Sequence, residues 1–203
     1  MLVLASQSPR RRELLAAAGI PHVLRPVEID ESQEEDEDPI AYVRRVARAK
    51  ALTVPINSGE IVLAADTTVI SDGLILGKPR DDEDARRMLN LLSGRSHQVA
   101  TAICLRTESD LAVHHEITQV WFCRLTNSEI AEYVASGEPM DKAGAYAIQG
   151  IASRFIPRIE GDYSNVVGLP VARLWRELER IRSSSSASSF RTATGKGLDR
   201  NCC

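Results

Sequence analysis

The stretch that most constrains this chain is Glu60-Ile-Val-Leu-Ala-Ala-Asp-Thr-Thr-Val-Ile70, an apolar, β-branched run with one carboxylate in its middle. Its composition predicts a buried strand over residues 61–70. A buried strand excludes an unpaired carboxylate, because removing that charge from water is costly. Asp66 must therefore be held by a cation, by hydrogen-bond donors, or by both. The alternative is an Asp that caps a turn just past a core strand. The question for the rest of the chain is what it brings to Asp66.

Residues 2–5 read as a short buried strand, followed by a loop and a helix up to Gly19. Ser8 suits the N-cap, Pro9 the first helical position, and Gly19 the C-terminal cap. Arg10, Arg11 and Arg12 crowd the first turn, where cations oppose the helix dipole. An anion bound among free N–H groups and guanidinium forks would justify them. A solvated basic face is the competing explanation.

Residues 22–26 read as a second strand, and an acidic run from Glu28 to Asp38 as a solvated, mobile loop. Any acid serving a site lies near its start, which points to Asp30 or Glu31. Asp38-Pro39 opens a helix with apolar positions at Ile40, Val43, Val46, Ala47 and Leu52. Lys50 falls on that helix, with a surface role as the plain alternative. Ser71-Asp-Gly73 and Leu74-Ile-Leu76 turn the central strand into a hairpin. Gly77-Lys78-Pro79 follows and is no P-loop, since the glycine spacing is wrong and Pro79 replaces the Ser or Thr.

Residues 81–92 form an amphipathic helix, and 97–107 with 111–125 a long hairpin. Thr126-Asn-Ser-Glu129 is a capping box opening a helix to Gly137. The irregular segment 138–150 carries Asp141, Lys142 and Gln149, and long irregular segments in compact domains are often functional. Phe155–Ile159 reads as a strand and Val171–Ile181 as a closing helix. From Ser183 to Cys203 the chain is Ser-rich without apolar pattern and reads as a disordered tail. One domain over 1–182 accounts for the rest.

A hydrophobic fraction of 43% supplies a full core, and a net charge of −3 argues against a nucleic-acid coating protein. Cys104 and Cys123 sit in apolar runs and read as small buried residues. No Cys or His spacing resembles a zinc site, and the terminal Cys202-Cys203 is not a CaaX box. No apolar run approaches a membrane span, and no signal segment is evident, so a reduced cytoplasmic setting is expected.

His22, His97, His114 and His115 lie on predicted strands without a nucleophile partner, which favours structural roles. What remains is a strand Asp, an acidic strand end, an Arg cluster, isolated lysines and a Gln on a Gly-flanked loop. Carboxylates with Lys and Arg, and no His or Cys ligands, suit Mg²⁺-assisted chemistry on phosphates. The residues alone give a phosphate-handling α/β protein.

Six segments, taken in order, are more specific. They are Leu4-Ala-Ser-Gln-Ser-Pro-Arg-Arg-Arg-Glu-Leu-Leu15, Ala65-Asp-Thr67, Gly77-Lys-Pro79, Leu92-Ser-Gly-Arg-Ser-His-Gln-Val99, Asp141-Lys-Ala-Gly-Ala-Tyr-Ala-Ile-Gln-Gly150 and Asn165-Val-Val-Gly-Leu-Pro170. Together they resemble the Maf family over about residues 2–181. The resemblance implies a Maf/ITPase-like α/β fold: an elongated mixed β-sheet flanked by helices, with a cleft between two lobes.

It also implies a nucleoside triphosphate pyrophosphatase using a divalent cation, Mg²⁺ or Mn²⁺. The loop ending at Gly150 looks like the branch acting on dTTP and UTP; the alternatives are the 7-methyl-GTP branch and a nucleotide-binding septation regulator with little catalysis. The resemblance assigns Asp66 as proton acceptor for the attacking water. It assigns Arg10, Thr67 and Gln149 to substrate specificity, and Ser6, Lys50, Lys78 and Lys142 to the polar cleft. A second acid joins Asp66 at the metal, taken as Glu31 over Asp30. The expected partner is the nucleotide, with neither nucleic acid nor membrane, and the family's habit allows a homodimer.

Overall fold

The eleven-residue strand β3 (Ile61–Ser71) lies inside a mixed seven-stranded sheet, with neighbours along most of its length. The computed structural model describes residues 1–193. At its start β3 pairs in parallel with β1 (Leu2–Leu4), which pairs in parallel with β2 (His22–Leu24). Helix α1 (Pro9–Ala17) connects β1 to β2. On its other side β3 pairs antiparallel with β5 (Ser96–Arg106) along nearly its whole length. The sheet continues through β6 (Leu111–Trp121) to β7 (Arg158–Glu160), and β4 (Leu74–Leu76) folds back on the end of β3.

One detail of register opens the sheet. The β1 pairing ends at Leu63, and the β4 pairing begins at Val69. Between them that edge of β3 has no strand partner among the described residues, and Asp66 and Thr67 fall in this gap. The chain leaving β1 turns away into α1 instead of following β3.

Alternation along β3 feeds two cores. Val62, Ala64 and Ile70 pack with Val3, Ala100, Ala102 and Cys104 under helix α2 (Pro39–Thr53). Val69 joins a second core with α3 (Asp82–Leu92), α4 (Asn127–Ala135) and the segment 145–155. Both cores lie within a compact unit spanning Met1–Val171.

The helix starts follow the sequence, with one exception. Asp38 and Asp81 accept from backbone N–H groups of α2 and α3, and Thr126 with Glu129 completes the capping box of α4. Ser8 stands at the N-cap of α1, but its side chain makes no cap bond.

The structure departs from the predicted elements in four places. The strand expected over Phe155–Ile159 is a 3₁₀ turn (Ile151–Phe155) followed by the short β7. A short helix α5 (Tyr163–Val167), capped by Asp162, was not anticipated. Strand β6 ends at Trp121, which leaves Cys123 exposed in the following loop rather than in the core.

The fourth departure is at the C-terminus. Helix α6 (Val171–Ala193) continues past Ile181, and within it Ser183 and Ser184 donate back to the Glu179 and Arg180 carbonyls at 2.9 and 3.0 Å, so their hydroxyls are paired inside the helix. The expected disordered tail therefore meets helix as far as Ala193; the remainder, with Cys202 and Cys203, lies outside the described residues. Among the described residues no helix is long and apolar enough to cross a membrane.

Candidate active site

The gap beside β3 opens into a cleft of about 760 Å³. Ser6, Arg10, Glu31, Lys50, Asp66, Thr67, Lys78, Lys142 and Gln149 all line it, so the structure brings every sequence-predicted site residue to one place. Asp30 does not line it; its carboxylate accepts from the backbone and hydroxyl of Ser32. Of the two acids left open by the sequence, Glu31 is the one that faces the cleft.

Asp66 points to the α2 side of the sheet, where Lys50 meets it. The buried stripe of α2 runs Val43, Val46, Ala47, Lys50 and Ala51, so helical spacing carries the lysine inward. Lys50 is 8% exposed and Asp66 6%. Its Nζ lies 2.8 Å from Asp66 Oδ1 and 2.8 Å from Glu31 Oε1, one ammonium bridging two carboxylates. Asp66 Oδ2 has no hydrogen bond among the described residues. Burial pushes the Asp66 carboxyl above the ordinary aspartate value; Lys50 and Arg11 pull it down without cancelling that effect.

Sequence reasoning backed Arg10, but the buried guanidinium is that of Arg11. It donates to the Gly168 carbonyl at 2.8 Å, to Ser6 Oγ at 3.2 Å and to Thr67 Oγ1 at 3.1 Å. Burial lowers its pKa, and Asp66 nearby opposes that. The signal was available: the inward face of α1 is set by Leu15, and Arg11 precedes it by four residues. Arg10 stays partly exposed, 3.7 Å from Asp141, whose carboxylate also binds the Lys142 ammonium. Lys78 is exposed on the cleft wall.

Thr67 has a committed proton. Thr101 donates its own to the Asn165 carbonyl at 2.8 Å, so in the 2.9 Å contact between the two hydroxyls Thr67 is the donor. Arg11 donates to Thr67 in turn, which leaves the Thr67 hydroxyl able only to accept from anything entering the cleft.

The acidic run is not the free loop expected from its charge. Arg45 grips Glu37 with contacts of 2.6 and 2.7 Å and donates to the Ser32 carbonyl at 2.9 Å. Tyr42 donates to the Glu31 carbonyl at 3.0 Å. Like charge alone suggested mobility; one arginine and one tyrosine on α2 anchor the run and hold Glu31 at Lys50.

Five cations (Arg10, Arg11, Lys50, Lys78, Lys142) and four carboxylates (Glu28, Glu31, Asp66, Asp141) line the cleft of a chain whose net charge is −3. It is therefore locally basic and suits an anionic ligand. The acids near Lys50 offer oxygen donors only, and no cluster of three or more His, Cys, Asp or Glu exists among the described residues. That donor set fits a hard cation completing its shell with water and ligand oxygens, as Mg²⁺ does. The histidines stand apart: His97 is buried on β5, bonded to the Tyr146 hydroxyl at 2.8 Å.

The family model for Maf-like proteins matches residues 1–181. A dTTP/UTP pyrophosphatase of Anaeromyxobacter sp. (strain Fw109-5) is 54% identical over 184 residues, 88% of each chain. A protein of the same name from Koribacter versatilis is 47% identical over 180 residues, 88% of this chain and 93% of that one. One from Chromobacterium violaceum is 51% identical over 177 residues, 84% and 89%. Among solved structures, the Staphylococcus aureus Ham1 protein aligns with 60% of this chain and 71% of its own at TM-score 0.42 and 14% identity. With its family model matched from residue 1 to 181 and relatives of this identity along most of its length, the chain belongs to the Maf family.

Proposed function

We propose that this protein hydrolyses dTTP and UTP to the nucleoside monophosphate and pyrophosphate. The observation that carries the chemistry is Asp66: a buried carboxylate with a raised pKa, one oxygen on Lys50 and the other without a hydrogen bond among the described residues, in a cleft lined by five cations. A carboxylate whose pKa is raised is a better general base than an ordinary one. The pyrimidine specificity is supported by the relatives named dTTP/UTP pyrophosphatase.

In this reading a water bonds to the α-phosphorus as its proton passes to Asp66 Oδ2, and the bridging oxygen leaves with pyrophosphate. Arg10, Arg11, Lys78 and Lys142 offset the charge that collects on the departing phosphates. Lys50 favours the ionised form of Asp66, opposing the effect of its burial. Thr67, able only to accept, and Gln149, able to do both, face the nucleotide; a base that leaves either unpaired is disfavoured. Asp66 and Glu31 would hold a divalent cation, Mg²⁺ or Mn²⁺, which when bound would neutralise phosphate oxygens and make the α-phosphorus more electrophilic. A reduced, cytoplasmic setting agrees with the free, exposed Cys123.

A nucleotide panel with Mg²⁺ tests the reading. Pyrophosphate release from dTTP and UTP ahead of purine nucleotides is expected. Preference for 7-methyl-GTP would overturn the pyrimidine assignment, and orthophosphate as the product would overturn the reaction.

A further inference from the structure

Gln149 is exposed, and its side chain makes no hydrogen bond among the described residues. Its position is therefore set by its backbone, and that backbone is gripped on both sides. Ile151 N donates to Glu138 Oε2 at 3.0 Å. The Tyr133 hydroxyl donates to Glu138 Oε1 at 2.9 Å and accepts from Ala147 N at 3.3 Å. A phenol and a carboxylate thus bracket residues 148–150 from below.

Two further contacts tighten the bracket. A Cβ at Gly150 would lie 2.3 Å from Glu138 Oε1, so the carboxylate presses directly on the turn. The Glu138 carbonyl accepts from Lys142 Nζ at 3.3 Å, which ties the other end of the loop to the same residue. Tyr133 is fully buried on α4, outside the cleft lining, with its ring edge-on to Phe155 at 5.7 Å. Burial, reinforced by Glu138, keeps the phenol protonated far above its ordinary range, so it remains a donor at any working pH.

We propose that Tyr133 and Glu138 are positioning residues for nucleotide selection, a brace that holds Gln149 and Lys142 at a set distance in the cleft. The proposal rests on the reading that this loop meets the nucleotide. Selection by hydrogen bonding needs donors and acceptors held within a fraction of an ångström, and among the described residues nothing anchors the Gln149 side chain.

Three variants separate a brace from a mere staple. Tyr133→Phe keeps the ring and its packing but leaves Glu138 Oε1 and Ala147 N without their partner. Glu138→Ala empties the brace. Glu138→Gln can still accept from Ile151 N and donate to the Tyr133 oxygen. The readouts are kcat/KM for dTTP, UTP, CTP and dATP, melting temperature, and amide hydrogen exchange over 143–153.

Tyr133→Phe and Glu138→Ala are expected to lower the dTTP-over-dATP ratio about tenfold, the worth of one hydrogen bond, with Glu138→Gln within about threefold of the parent ratio. Exchange at Ala147 and Ile151 is expected to quicken while strand β5 keeps its protection. A ratio unchanged in both disruptive variants, or unaltered exchange at those amides, overturns the brace. A parent enzyme with no pyrimidine preference would instead sink the functional reading, and the exchange data would still decide whether the loop is held by these two residues.

Discussion

Asp66 and Lys50 are a buried pair in which burial, not attraction, has the larger effect on the acid. Each removal therefore has a definite sign. Asp66→Asn leaves the shape and removes the proton acceptor, so kcat is expected to fall by about 10²–10⁴, the usual worth of a positioned general base. Lys50→Met removes the cation that lowers the Asp66 pKa, so the acid limb of the kcat/KM profile should move to higher pH with the same substrate. An unmoved limb would show that Asp66 is not the group being titrated.

His97 supplies a separate test, of stability. Burial lowers its pKa to about 4, and its Nδ1 has no hydrogen-bond partner among the described residues. The unfolded chain takes up this proton near pH 6.5, the folded protein only near 4. The folded pKa is depressed, so the stability it contributes is complete above pH 6.5 and is lost as pH falls toward 4. The full effect is roughly 3 kcal/mol. Urea midpoints measured from pH 7 to 4 should fall less steeply in His97→Gln, which can still bond the Tyr146 hydroxyl.

At the scale of elements, the loop 138–151 is fitted tightly to the hairpin of β3 and β4. Gly144 has φ of +68°, donates to the Gly77 carbonyl at 3.0 Å, and would set a Cβ 2.8 Å from Val69 Cγ2. Gly144→Ala combines positive-φ strain with a clash against a core side chain, and should cost about 1–3 kcal/mol. Because the loop carries Lys142 and Gln149, KM for nucleotide should rise as well. A melting temperature equal to that of the parent would refute the close approach.

Elements whose signals are local were legible in the sequence. The capping box at Thr126, the helix start at Asp38 and the 71–73 turn each depend on residues within four positions. The sequence-predicted site residues also converge, because β3, α1, α2 and the loop all reach the same break in the sheet. Illegible were the features settled by distant partners. Arg11 is chosen over Arg10 by a carbonyl 157 residues away. Phe155 ends a 3₁₀ turn where a strand was expected to begin, with its ring edge-on to Tyr133 and its carbonyl accepting from Cys123 N, both more than twenty residues away in sequence. The acidic run shows the same limit: its charge count is visible, but the grip of Arg45 on Glu37 is a tertiary contact.

For the molecule as a whole, the cleft is built by one contiguous stretch of chain. Its lining runs from Ala5 to Gly168, all inside the unit Met1–Val171. Residues 183–203 follow that unit and carry Arg191, Lys196 and Arg200 against Asp199, so their loss makes a net-negative chain more negative. Charges beyond a Debye length, about 8 Å at physiological salt, act weakly on substrate in the cleft. Among the described residues none past Gly168 lines the cleft, and segments that supply no site residue are commonly dispensable. Truncation after Arg182 should therefore leave kcat/KM for dTTP within about twofold of the full chain at physiological ionic strength, where that screening holds. An effect transmitted by the lost charges should grow as salt is lowered. A large loss of activity independent of salt would show instead that the segment past Arg182 supports the cleft directly.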